Sequence, residues 1–142
     1  MASLFSRIIA GELPGRFVWQ DDEVVCFLTI APLRPGHTLV VPRREIDKWT
    51  DLPGELLGKV MSVAQVIGQA VERAWDAPRS GLAIAGFEVL HCHVHVTPIW
   101  DMTDLELSNI KPETVAAELD QAAVRLRAAL RDLGQGQFVP ED

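Results

Sequence analysis

The chain has 142 residues, a formal net charge of −7, and 48% hydrophobic against 23% charged residues. That is enough for one ordinary domain with a buried core, and it excludes both a disordered composition and the basic footprint of a general nucleic-acid binder. No apolar run approaches the ~20 residues of a membrane helix, and "MASLFSRIIAGELPG" has too short an apolar patch for a signal peptide. The expectation is a single cytoplasmic domain over residues 1–142, with no nucleic-acid or membrane partner. An acidic chain is still able to hold a small phosphate ester locally through main-chain N–H groups. Cys26 and Cys92 are too few for a disulfide framework and lie in apolar runs, so they read as buried thiols.

In chain order, "FVWQDDEVVCFLTI" reads as two extended runs joined by a turn at Gln20-Asp21-Asp22. Pro32, Pro35 and Gly36 then punctuate, and Thr38–Val41 is a short strand stopped by Pro42. From Pro53 to Trp75, Leu56, Leu57, Val60, Met61, Val63, Ala64, Ile67, Val71 and Ala74 recur at helical steps, with Pro53 suited to the first turn. "GLAIAG" (81–86) is expected as a short strand and 88–99 as a longer one. Residues 101–111 are polar and loop-like. A second helix is expected from Pro112 to Leu133, with Val115, Leu119, Ala122, Leu126, Ala129 and Leu130 on one side and Gly134 ending it. Hairpin-length connections favour an antiparallel sheet, so the fold class is α+β, with one long helix packed on the sheet and a C-terminal helix. Trp19, Trp49, Trp75 and Trp100 are scattered and read as core or interface anchors.

"EVLHCHVHVTPI" (88–99) holds three of the chain's four histidines at alternate positions: His91, His93 and His95. On a strand, alternate residues share a face, so the three would form a row while Leu90, Cys92, Val94 and Val96 face a core. One use of such a row is a metal site. At ~3.3 Å per residue, however, the first and third Cα atoms lie about 13 Å apart. A metal would then take two of the row plus a ligand from elsewhere, such as His37. The other use is covalent catalysis on phosphorus. A neutral imidazole attacks, its second nitrogen held by a hydrogen bond, while flanking histidines donate to the phosphate oxygens. The central position of His93 suits the second use, which needs no metal.

The residues "HCHVHVTPIW" resemble the H-φ-H-φ-H-φ-φ signature of the histidine triad (HIT) superfamily of nucleotide hydrolases and transferases. "IIAGELP", "DDEVVCFL" and "PGHTLVVP" resemble its N-terminal half, and the likeness runs from about Ser3 to about Trp100. The resemblance implies an α+β antiparallel sheet with a long helix, paired into a homodimer. It implies action at the α-phosphate of purine mononucleotide-type substrates (adenosine phosphoramidates, dinucleoside polyphosphates and related esters), with no obligatory metal or other cofactor. It assigns His93 as nucleophile and His95 to the transferred phosphate. His91 would buttress the site, through its main-chain carbonyl to the His93 ring, and His37 would support it. Thr29, Ile30, Glu88 and Val89 fall at substrate-binding positions.

Several positions depart from the family pattern. Thr29 stands where members carry an acidic residue on the ribose, and a hydroxyl cannot make the bidentate contact of a carboxylate. Ile30 still suits packing against a base. Before the triad no asparagine precedes Gly86, Phe87 replaces a glutamine, and Glu88 replaces a hydroxyl residue that touches the phosphate. A carboxylate there is repulsive unless turned aside. Strand parity places Glu88 away from the histidines, leaving main-chain N–H groups for the phosphate. Some relatives bind structural zinc through C-x-x-C, and the matching positions here are Ser3 and Ser6. Besides a covalent hydrolase or nucleotidyl transferase, two readings stay open: a nucleotide-binding protein of this fold with weak or no catalysis, and a metal-dependent hydrolase using the histidine row.

Overall fold

Asp21 makes the first hairpin. In the computed structural model, which describes residues 2–141, its Oδ1 accepts from the N–H groups of Glu23 and Val24, each at 2.8 Å. Its Oδ2 accepts from Trp19 Nε1 at 2.8 Å. A side chain that binds its own backbone two and three residues on stabilises a tight turn, which is why aspartate stands between two apolar runs. The runs are β1 (Phe17–Gln20) and β2 (Val24–Leu28), paired antiparallel with an irregularity between Phe17 and Trp19.

β2 pairs with β3 (Thr38–Pro42), β3 with β5 (Val94–Ile99), and β5 with β4 (Arg79–Ala83), all antiparallel. The five-stranded sheet has the order β1-β2-β3-β5-β4. Helix α2 (Gly54–Trp75) connects β3 to β4, and α3 (Ala116–Asp132) follows β5. Alternation along the strands sorts the residues by face. Val24, Cys26, Leu28, Val40, Val94 and Val96 meet the helices, where Val60, Ile67, Val71, Leu126 and Leu130 complete the main core. Val25, Phe27, Leu39 and Val41 face the other way and are covered by Phe5. Both cysteines are buried and free.

Phe5 belongs to a helix that sequence periodicity does not reveal, α1 (Leu4–Ile9). It is six residues long and capped by Ser3, whose hydroxyl accepts from Ser6 N–H at 3.0 Å. Its single buried residue fastens it over the second face of the sheet.

Three expected boundaries are corrected. The strand expected at 81–86 is β4, over Arg79–Ala83. The strand expected at 88–99 begins only at Val94. Cys92 N–H leaves the ladder to bind Ile46 O at 2.7 Å, and the carbonyl of Pro42, at the end of β3, accepts from the His91 ring at 2.8 Å. With those groups diverted, residues 84–93 form a connection, with Gly86 at φ +100°. Leu90 accordingly is exposed rather than in the core. The C-terminal helix starts at Ala116 rather than Pro112, and Val115 is exposed just ahead of it. Gly134, at φ +83°, follows α3. Residues 101–111 contain two short 3-10 turns, the first closed by an Asp101–Asp104 capping box.

Of the tryptophans, Trp19 is buried and stacks on Phe138 at 4.6 Å. Trp75 packs against the main core, and Trp49 and Trp100 are exposed, the latter beneath the Arg34 guanidinium at 4.9 Å.

Candidate active site

The four histidines come from three parts of the fold. His95 alone lies within a strand, in register with Leu39 of β3 and Ala83 of β4. His93 and His91 lie in the connection before it, and His37 just before β3. The turn that delivers His37 depends on Gly36, at φ +97°, where a Cβ would stand 2.5 Å from a Trp75 ring carbon. The row is therefore not a strand face. It is a chain of rings, with centroids 5.1 Å apart from His37 to His95 and 5.1 Å from His95 to His93.

The hydrogen-bond partners fix the tautomer of every ring. Leu33 N–H donates to His37 Nδ1 at 3.0 Å, so the His37 proton sits on Nε2 and is donated to His95 Nδ1 at 2.9 Å. Neutral His95 then carries its proton on Nε2. His93 Nδ1–H donates to the main-chain carbonyl of His91 at 2.7 Å, which leaves His93 Nε2 as a bare lone pair. His91 Nε2–H donates to Pro42 O at 2.8 Å, and His91 Nδ1 accepts from the Ser3 hydroxyl at 2.7 Å. Among the described residues, His93 Nε2 and His95 Nε2 are the ring nitrogens with no protein partner: one acceptor beside one donor.

Burial disfavours protonation of His37, His93 and His95. His37 is pushed down to about 3, first by desolvation and then by the neighbouring His95 and His93. Desolvation, followed by His93, takes His95 down to about 4. His93 is also held below the ordinary imidazole value, chiefly by burial. Its bond to the His91 carbonyl and the charge of Glu88 oppose that shift.

The remaining expected residues are spread around this chain. Thr29 is tied to His37 through its main chain, Thr29 N–H to His37 O at 3.3 Å, while its hydroxyl accepts from Ala31 N–H at 3.1 Å. Ile30, beside it, is 71% exposed. Glu88 is exposed in the connection, not on a strand, so the parity argument for its direction does not apply. Its field reaches His93. Val89 packs against the Phe5–Phe27 cluster. A cavity of about 180 Å³ reaches Thr29 and His37 from the α3 side, lined also by Trp75, Glu118 and Arg125, and does not reach His93 or His95. Among the described residues, no three His, Cys, Asp or Glu side chains are grouped to hold a metal ion.

Sequence reasoning missed several supports. Phe5 meets the His93 ring edge-on, with centroids 4.8 Å apart at 88°. Ser3, Ser6 and Glu45 surround His91 Nδ1. Lys111 Nζ donates to Leu33 O at 2.7 Å, fastening the loop that holds His37. A serine three residues ahead of another, entering an apolar run, was the available signal for a capped helix at Ser3.

A model of the HIT domain family matches residues 10–101. The purine nucleoside phosphoramidase of Escherichia coli is 35% identical over 100 residues, covering 66% of this chain and 84% of that one. Adenylylsulfatase HINT3 of Arabidopsis thaliana is 27% identical over 127 residues, covering 82% of this chain and 64% of that one. The crystal structure of a Zn-bound histidine triad family protein from Mycobacterium smegmatis superimposes with a TM-score of 0.81 at 27% identity, over 96% of this chain and 98% of that one. In fold, motif and overall similarity, this chain belongs to the HIT (histidine triad) family.

Proposed function

We propose that this protein is a nucleotide phosphoester or phosphoramidate hydrolase, or nucleotidyl transferase, acting at the α-phosphate of purine mononucleotide-type substrates through a covalent intermediate on His93. The observation that carries this reading is the tautomer of His93. Nδ1–H is committed to the His91 carbonyl at 2.7 Å, so Nε2 keeps its lone pair in a ring whose burial disfavours protonation.

In the first step the Nε2 lone pair attacks the α-phosphorus. A P–N bond forms, and the bond to the leaving group breaks. The leaving group departs with the electron pair and takes a proton from solvent. Water then attacks the same phosphorus, the pair returns to Nε2, and the water's surplus proton balances the one consumed. In transfer, a hydroxyl or amine acceptor replaces the water. His95, neutral with its proton on Nε2, donates to a phosphate oxygen as charge is redistributed, and His37 holds it in that tautomer. His91 acts through its carbonyl. Ile30 and Thr29 would contact the nucleoside, with Val89 and the main chain around Glu88 near the phosphate. The enzymatic activities in the names of the two relatives support the reading.

The same reading takes the protein to be a single-domain cytoplasmic homodimer. β4, at the end of the sheet, is paired with β5 on one side and offers its other edge to a second copy. One observation favours a second reading, a nucleotide-binding protein with weak catalysis: the Thr29 hydroxyl is already engaged by Ala31 N–H, so ribose recognition would be loose.

The test is hydrolysis of adenosine 5′-phosphoramidate in excess chelator, with His93→Ala alongside. Turnover that survives chelation and disappears in the variant supports the covalent route. Loss on chelation would instead favour a metal-dependent hydrolase. Nucleotide binding without turnover would favour the binding protein.

A further inference from the structure

The connection that carries His91 and His93 lies outside the sheet ladder, so something other than strand pairing must hold it. His91 is fully buried and is gripped at both ring nitrogens. Pro42 O takes the proton of Nε2 at 2.8 Å, so in the neutral ring Nδ1 is an acceptor and the Ser3 hydroxyl at 2.7 Å is its donor. That hydroxyl is itself oriented, because its oxygen accepts from Ser6 N–H at 3.0 Å. Glu45 Oε1 fixes the same end of α1, accepting from Ser3 N–H at 2.6 Å and from the Ser6 hydroxyl at 2.7 Å. The same first turn of the helix sets Phe5 against the His93 ring, the two planes at 88°. A six-residue helix thus touches both histidines, and the part of the chain it comes from lies before the residues matched by the family model.

The geometry points to Ser3 as a positioning residue for His93: its hydroxyl, with the Pro42 carbonyl, clamps the His91 ring and so keeps the His91 carbonyl on His93 Nδ1. The Cys92 N–H bond to Ile46 O holds one end of the peptide that carries the His91 carbonyl. Without the clamp that peptide is able to turn about this single bond, and His93 is then free to carry its proton on either nitrogen. The catalytic consequence rests on the reading of His93 as nucleophile; the effect on its tautomer does not.

The test uses the full chain with Ser3→Gly and Ser3→Thr. Glycine is nearly as good as serine at a helix N-cap, so Ser3→Gly removes the donor to His91 while α1 keeps its start. Threonine restores the donor. Two quantities are read: kcat and KM for adenosine 5′-phosphoramidate, and the 15N shifts of the His93 ring, which report the tautomer directly. Ser3→Gly is expected to lower kcat on the order of tenfold, the scale of one lost hydrogen bond, with KM within about twofold. Its His93 shifts should become those of a tautomer mixture, and Ser3→Thr should match the unaltered protein in both. An unchanged kcat and a single His93 tautomer in Ser3→Gly would overturn the assignment, as would equal losses in the two variants. If the unaltered protein turns over nothing, the nucleophile reading fails, and the 15N shifts still decide the role of Ser3.

Discussion

Burial of His37 makes stability depend on pH in a calculable way. In the folded chain the His37 pKa is about 3, against 6.5 for an exposed imidazole. A ring whose folded pKa lies below its unfolded value binds a proton preferentially in the unfolded chain. Its contribution is therefore fully present above pH 6.5 and is lost as pH falls towards 3. At pH 5 the unfolded ring is protonated and the folded one is not, which costs about 1.5 units at 1.36 kcal/mol each, or roughly 2 kcal/mol. His37→Gln removes this titration while leaving an amide N–H to donate to His95. Urea unfolding of both proteins at pH 7.5 and pH 5 measures the difference. The unaltered protein should lose about 2 kcal/mol more than the variant between the two conditions. Equal losses would mean that His37 protonates in the folded state, and the neutral His37–His95 tautomer chain would be wrong.

Gly36→Ala places a Cβ 2.5 Å from the Trp75 ring at φ +97°. It should cost about 2–4 kcal/mol in urea unfolding, with the clash part relieved in Gly36→Ala/Trp75→Leu and the backbone part retained. Glu88→Ser removes a negative charge whose field raises the His93 pKa. The acid limb of the kcat/KM profile should move to lower pH, and nucleotide affinity should rise; an unmoved limb and unchanged affinity would leave Glu88 without a site role. Lys111→Met frees Leu33 O, so kcat should fall severalfold while thermal stability changes little, about the loss of one hydrogen bond.

The unbroken apolar run Val24–Leu28 and the helical steps from Leu56 to Val71 encode β2 and α2, because a strand buried on both faces is apolar throughout and a helix with one buried face shows its period. The same rule misplaces His91 and His93. Their alternation mimics a strand, yet the hydrogen bonds of Pro42 O and Cys92 N lead elsewhere. Such a diversion depends on groups more than forty residues away, which local pattern does not contain. Helix α1 stayed hidden because six residues span fewer than two turns, too few for a period to emerge. The grouping of the four histidines was legible from motif alone. Their tautomers were not, since these depend on Leu33 N–H, the Ser3 hydroxyl and two carbonyls brought together by folding.

The most direct measurement is the mass of the intact protein during turnover, quenched rapidly with adenosine 5′-phosphoramidate in excess and followed by peptide mapping. The expected result is an adenylyl adduct on His93 that forms and decays at rates able to support turnover, and that is absent from His93→Ala. Steady turnover by protein that never carries the adduct, or an adduct mapped to another residue, would contradict the covalent His93 mechanism.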